Sequence, residues 1–486
     1  MKNDPHPVSY DVAYASASEL LERLEHSHTT SLTIVEALLA RIGALDDEGV
    51  ALHAIAAIAD DARTVARERD EQRARGEILG PLHGLPVVIK DNIEAKGLPG
   101  LAGSTSLRGR PARDAALVTV LRDAGAIILA STNLSQWANI RSPHSTSGYS
   151  ASGGLVANPW ALDRSAGGSS SGSGAALAAG FSPLAVGTET DGSITCPASL
   201  NGVVGLKPTV GVTSRDGVVP ISHSQDSPGP MARDVADLAL LYGAMVGETP
   251  PSLLEVSMIE ARVWRTGHVA TDALFEVVMS QLRREGLAIA QGEGGLPSGV
   301  EYDDELTVML CELVDDMNVY LAGRLGEGVK SLADVVAYED ENSQLEQRYF
   351  GHEFLVQAIG TGGCNTEAYQ LARERNEGWA RELALGKILA DNNVVVSPAY
   401  GPAWKSDLVN GDNAKYVSAS IMAAAVAGWP ILTLPMGFVE GLPVGLTLAG
   451  RPHSEWTLLE AARQVEVVLR RHSDVSTPTW RAANRG

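Results

Sequence analysis

Apolar residues change their spacing along the chain, and the changes mark out the elements. Between residues 16 and 45, Val35, Leu38, Leu39 and Ile42 fall at i, i+3, i+4 and i+7, one face of a helix. Two short helices are predicted there, with capping-box spacing at Ser16-x-x-Glu19 and Thr33-x-x-Glu36. From about residue 85, short all-apolar runs alternate with helical stretches. Residues 86–89 read as a buried strand ending at Lys90-Asp91-Asn92, 115–124 as a helix, and 126–130 as a second buried strand. That alternation predicts an α/β architecture, a mixed and partly parallel central sheet covered by helices. The most apolar stretch, 421–438, is interrupted by Gly428, Pro430, Pro435 and Gly437. It fits a buried helix followed by a buried strand better than a membrane span.

Residues 139–173 are dominated by Ser, Gly, Asn and Pro and read as a long loop. The segment 250–390 is more helical and more acidic, with no chemical motif. No repeat or linker divides the chain, so one domain over residues 1–486 is expected.

Composition narrows the class. Hydrophobic residues make up 44% and charged residues 20%, enough apolar content for a large core. A net charge of -21 opposes binding to nucleic acid or to an anionic membrane, both of which need clustered Lys and Arg. Three cysteines, Cys196, Cys311 and Cys364, are too few and too scattered for a disulfide framework or a zinc site. Reduced thiols and a cytoplasmic setting are expected. The N-terminus carries no basic stretch followed by an apolar run, so no signal peptide is read there.

Chemistry concentrates in Ser165-Ala-Gly-Gly-Ser-Ser-Ser-Gly-Ser-Gly-Ala and in Gly187-Thr-Glu-Thr-Asp-Gly-Ser-Ile. A Ser/Gly tract is ordinarily a flexible linker. This one runs straight into a small-residue helix and an apolar segment, so a backbone cradle at a helix N-terminus fits better. Acyl transfer from an amide needs a nucleophile, a base and donors aimed at the developing oxyanion. Gly168-Ser-Ser-Ser-Gly172 also matches a nucleophile elbow centred on Ser170. The elbow requires a preceding strand, which residues 158–165 do not suggest, and a partner His. His223 and His453 are available, but neither lies in a supporting motif.

Taken together, these blocks resemble the amidase signature family. Its glycine-serine loop and second serine about 24 residues on correspond to Ser169 and Ser193, and its G-[IL]-P-x-x-x-K-D-N pattern to Gly84-Leu-Pro-Val-Val-Ile-Lys-Asp-Asn, with Lys90. Further similar blocks are Asn201 to Thr209, Asp226 to Arg233 and Ala427 to Arg451. Family-like sequence thus covers about 80–235 and 420–465. The resemblance implies the amidase signature fold, with Ser193 as nucleophile, Ser169 as a bridge held by a cis peptide, and Lys90 as neutral base. It implies an oxyanion hole from the amides of Thr190, Asp191, Gly192 and Ser193, and a place for Ala138 on the acyl pocket. No metal and no organic cofactor are implied. A free lysine is only about 0.04% neutral at pH 7, so burial against Val87, Val88 and Ile89 would have to lower its pKa. Otherwise Lys90 would be an ordinary strand-end ion pair with Asp91.

The chain departs from the common T-D-T-G-G-S-I-R pattern: Glu189 and Thr195 replace an Asp–Arg pair, and Asp191 replaces a glycine. Gly187 to Ala198, Ser214 to Ile221 and Thr132 to Asn139 are most similar to bacterial peptide amidases. That implies a small-molecule or short-peptide amide substrate, acted on by a monomer or homodimer. The rivals are an aryl or aliphatic amidase, a glutamine-hydrolysing component like that of a tRNA amidotransferase, and an inactive binding scaffold. Intact Lys90, Ser169 and Ser193 oppose the last. The pocket walls are expected from residues 250–390 and 139–155.

Overall fold

The computed structural model describes residues 11–107, 109, 113–326, 328–471, 478 and 480. The first ten residues, on which the reading of the N-terminus partly rests, lie outside the described residues. Eleven strands form one sheet: β1 (Ile55–Ile58), β2 (Pro86–Lys90), β3 (Ile127–Thr132), β4 (Leu184–Glu189), β5 (Val204–Lys207), β6 (Ser227–Ala232), β7 (Met258–Ala261), β8 (Ile289–Gly292), β9 (Val394–Pro398), β10 (Ile431–Val439) and β11 (Leu442–Gly450). Their order is β1-β3-β2-β4-β6-β5-β10-β11-β9-β7-β8. β2 pairs in parallel with both β3 and β4, whereas β4, β6, β5, β10, β11 and β9 pair antiparallel in succession. The sheet is therefore mixed, as the alternating pattern predicts. Every residue of β2, β3 and β4 is buried, which explains why these runs lack polar alternation.

The structure corrects several local readings. The second predicted helix starts earlier, at Ser31, and its cap is Thr30 rather than Thr33. Thr30 Oγ1 accepts from Thr33 N at 3.0 Å, and the Asp70 carboxylate takes the Ser31 and Leu32 amides at 2.7 and 3.0 Å. A tertiary acceptor thus satisfies amides that a local capping box would have served. The first helix, Ala17–Glu25, is capped by Ser16 as read. Residues 158–165 are not strandless: Ala161–Ser165 pairs with Ala157–Asn158 in a small ladder of its own. The 139–173 stretch also holds the pair Tyr149–Ser150 and Gly154–Leu155, and a helix begins at Ser171. Within 250–390, β7 and β8 extend the central sheet at one edge. Residues 421–438 do form a helix end and a strand, Ala419–Ala427 and β10. Among the described residues no helix is long and apolar enough to cross a membrane.

Apart from the core around the sheet, a smaller apolar cluster joins Ala102, Trp137, Ile140, Val219 and Ile221 to Leu313, Met317 and Leu355. It packs the helical insertion against the edge of the serine-rich region.

Candidate active site

Parallel pairing of β2 with β4 sets Val87, Val88 and Ile89 beside Leu184, Ala185 and Val186. Lys90, ending β2, then reaches Thr188 near the end of β4. Its Nζ lies 2.7 Å from Ser169 Oγ, 2.9 Å from Thr188 Oγ1 and 3.2 Å from the Thr188 carbonyl. Lys90 and Ser169 are fully buried, and the Gly168–Ser169 peptide is cis. Asp91 is not the partner of Lys90. Its carboxylate instead accepts from Leu101 N at 3.0 Å and so holds the next turn. Burial lowers the Lys90 pKa to about 7, although Asp226 and Glu189 pull it upward.

Ser193 stands between β4 and the helix Thr195–Asn201 and keeps 7% of its surface exposed. The structure joins Ser193 to the serine loop through the backbone, where Ser170 N donates to the Ser193 carbonyl at 3.1 Å. No hydrogen bond links Ser169 Oγ to Ser193 Oγ among the described residues. Such contacts commonly close only when substrate is bound. Ser170 Oγ is occupied elsewhere: it donates to Thr188 O at 3.1 Å and accepts from Thr188 N at 3.2 Å. The small ladder before it does not aim it at open space, and no described histidine bonds either serine.

The amides before the Thr195–Asn201 helix divide into two sets. Glu189 Oε2 takes Ile194 N at 2.6 Å and Thr195 N at 2.7 Å. The amides of Asp191, Gly192 and Ser193 meet no protein acceptor among the described residues. This turn is the open cradle; in the Ser169 tract the Gly172 amide is already spent on the Asn133 carbonyl at 2.9 Å. Gly192 has φ 78°, and a Cβ there would stand 2.5 Å from the Tyr400 hydroxyl. Only glycine fits.

Glu189, one of the departures from the family pattern, makes the contacts to the Ile194 and Thr195 amides. It supports the turn that carries Ser193 as a direct cap on backbone amides. Burial, with Glu189 nearby, pushes the Asp191 pKa up to about 7, and the Lys207 ammonium pulls it back down.

Thr188, Asn92 and Asp226 carried no role in the sequence reading. Asn92 Nδ2 donates to Thr188 Oγ1 at 3.0 Å. Thr190 Oγ1 donates to Asp226 at 2.6 Å, and Asp226 also takes the Ile221 and Ser222 amides at 2.8 and 2.9 Å. Asn92 and Asp226 stand in recognised blocks, but only the fold shows what they touch. Ala138 lines an apolar cavity with Asn92, Val219, Ile221, Leu313, Met317 and Leu355. One wall thus comes from the 250–390 segment.

A family model described as Amidase matches residues 33–459. The probable amidase of Arabidopsis thaliana is 34% identical over 93% of this chain and 90% of its own length. One component of the glutamyl-tRNA(Gln) amidotransferase of Symbiobacterium thermophilum is 32% identical over 94% of this chain and 97% of its own length. Among solved structures, the peptide amidase bound to the competitive inhibitor chymostatin superposes with a TM-score of 0.90 at 39% identity, covering 97% of this chain and all of that one (100%). Native peptide amidase from Stenotrophomonas maltophilia gives 0.88 at 38%, covering 98% and 100%.

Proposed function

The chain belongs to the amidase family, and from that premise we propose that it hydrolyses C-terminal amides of short peptides through an acyl-enzyme on Ser193. Ser193 Oγ attacks the carboxamide carbon while its proton passes to Ser169, whose own proton passes to the neutral Lys90 amine. The oxyanion forms against the amides of Thr190, Asp191, Gly192 and Ser193. As the C–N bond breaks, the relay returns a proton to the leaving nitrogen, and ammonia departs. Water then attacks the ester by the same relay, and the carboxylate leaves. No metal or organic cofactor takes part.

The observation that carries this reading is the environment of Lys90. Its amine sits 2.7 Å from a serine hydroxyl, no carboxylate among the described residues is in hydrogen-bond contact with it, and burial brings its pKa to about 7. An amine so placed can hold or release a proton near neutral pH. The peptide-amide part rests on the likeness to peptide amidases.

Release of ammonia from peptide amides and free glutamine, and of aniline from anilides, tests the substrate class. Peptide amides should be cleaved at the C-terminal amide, with internal peptide bonds left intact. Turnover of anilides or glutamine with none of peptide amides would sink that part of the reading, and inertness toward every carboxamide would favour a binding scaffold.

The pH profile is a separate check. Only the neutral amine accepts the proton, so kcat/KM should fall about tenfold per unit of pH below the Lys90 midpoint and level off above it. The midpoint should lie near 7 rather than in a free lysine's range. A rise continuing to pH 10 would contradict a buried neutral base.

A further inference from the structure

Asp191 stands where the common family pattern has glycine, two residues before Ser193. From Phe181 to Asn201 every residue is buried except Asp191, so the one opening in this run lies in the turn that carries Ser193. Asp191 Oδ1 is buried with no hydrogen-bond partner among the described residues. A carboxylate oxygen left bare in a dry site keeps its full field. The charged groups around it do not cancel that field. Burial lowers the Lys207 pKa to about 8, and Glu189, ahead of Glu455 and Asp191, pulls it up, so the Lys207 ammonium answers Glu189 first. Asp226 is engaged by Thr190 Oγ1 and by the Ile221 and Ser222 amides. Tyr302 and Glu305, one turn apart on the helix Gly299–Gly323, both feel Asp191. Glu305 is 4% exposed, and its Oε1 accepts from Gln225 Nε2 at 2.9 Å. Burial first, and Asp191 second, hold the Glu305 carboxyl well above the usual range, so Glu305 keeps its proton. What remains uncovered at the turn is the Asp191 carboxylate.

Chain geometry keeps this charge close to the reaction. Cα atoms two positions apart lie within about 7.6 Å, whichever way the side chain turns. At about 10 Å, in a site of effective dielectric constant about 20, two like charges still weigh roughly tenfold in an equilibrium. We propose that the Asp191 carboxyl is a specificity-determining group that turns anionic ligands away from Ser193, both amides with a carboxylate near the reacting carbon and the carboxylate product. Neutral and cationic amides enter unopposed. The same repulsion speeds the departure of the product, whose new charge forms against the amides of the turn. This inference rests on the function proposed above in taking Ser193 as the reacting group and a carboxylate as the product.

The test compares wild type with Asp191→Asn, which keeps the shape of the side chain and removes its charge. Both are measured at a pH above the Asp191 and Lys90 midpoints, where the carboxyl is ionised and the amine neutral. Labelling rates are taken with short fluorophosphonates whose tails end in a methyl, an ammonium or a carboxylate group, probes that need no amide turnover. In wild type the carboxylate probe should react slowest and the ammonium probe fastest. Asp191→Asn should raise the carboxylate-to-methyl ratio about tenfold and lower the ammonium-to-methyl ratio, whatever it does to all three rates together. In a second arm a peptide acid and the peptide alcohol of the same sequence compete with the methyl probe. The acid's inhibition constant relative to the alcohol's should fall about tenfold in the variant. Glu305→Gln should leave the wild-type ratios in place, since the proton on Glu305 already makes it neutral. If Asp191→Asn does not fold, Asp191→Gly decides, because glycine stands there in the common family pattern. An equal change in all three rates, or unchanged ratios in folded protein, overturns the proposal. Ratios that shift as expected while neither peptide competes would uphold the role of Asp191 and count against the peptide-amide reading.

Discussion

Ser193→Ala is expected to abolish amide hydrolysis, with kcat falling on the order of 10⁶-fold, the scale seen when an acyl-transfer nucleophile is removed. The variant should fold normally, because the residue is held through its backbone carbonyl and the hydroxyl spans no packed interface. Labelling by a fluorophosphonate should disappear with the hydroxyl. The sharper comparison is Ser170→Ala. Ser170 Oγ lies between the amide and carbonyl of Thr188, where it braces the end of β4. Its loss should leave labelling at Ser193 intact. An adduct recovered on Ser170 from wild-type enzyme would reinstate the nucleophile elbow and overturn the assignment.

Lys90→Ala should cost kcat/KM at least 10²–10⁴-fold, roughly the worth of a positioned general base. Reactive esters should suffer less than amides, because an amine leaving group needs a proton as it departs. Lys90→Arg should fail almost as badly. A guanidinium stays protonated at any workable pH, and Lys90 sits in a fully buried site built around an ammonium-sized head. Replacing each histidine in turn should leave amide turnover within about tenfold, well short of a general base's contribution. His223 illustrates why: it binds Asp316 at 3.1 Å and lies beside Glu312, on the helix Gly299–Gly323 rather than at the serines. A single His→Ala that equalled the Lys90→Ala loss while preserving the fold would make the base a histidine.

Part of the central sheet was legible, because inner strands such as β2 and β3 are local statements. β2, β3 and β4 are short runs buried on both faces, and that alone makes them uniformly apolar. Lys90, Ser169 and Ser193 were legible for a different reason. Each sits in a short motif whose spacing is set by one strand end or one turn, so neighbouring residues carry the signal. The edge strands were not legible. β7 contains Glu260, buried because Arg283 and Arg265 arrive at 2.6 and 2.7 Å, and β8 is half exposed. Neither shows a strand period: β7 exists through parallel pairing with β9, more than a hundred residues away, and β8 through parallel pairing with β7. Thr33 looked like a helix cap because the sequence around it does not reveal that Asp70 serves the preceding amides.

The sequence by itself therefore determined the fold class and the mixed sheet, and singled out Lys90, Ser169 and Ser193 as candidates, all encoded over spans short enough for a side-chain pattern to express. The tertiary structure alone decided which groups surround them. It separated Asp91 from Lys90, placed Thr188 at the amine with Asn92 bonded to Thr188 behind it, and tied Thr190 to Asp226. Hydrogen bonds between buried groups far apart in the chain leave no periodic trace, because each partner satisfies its polar atoms only once the whole fold has brought the two together.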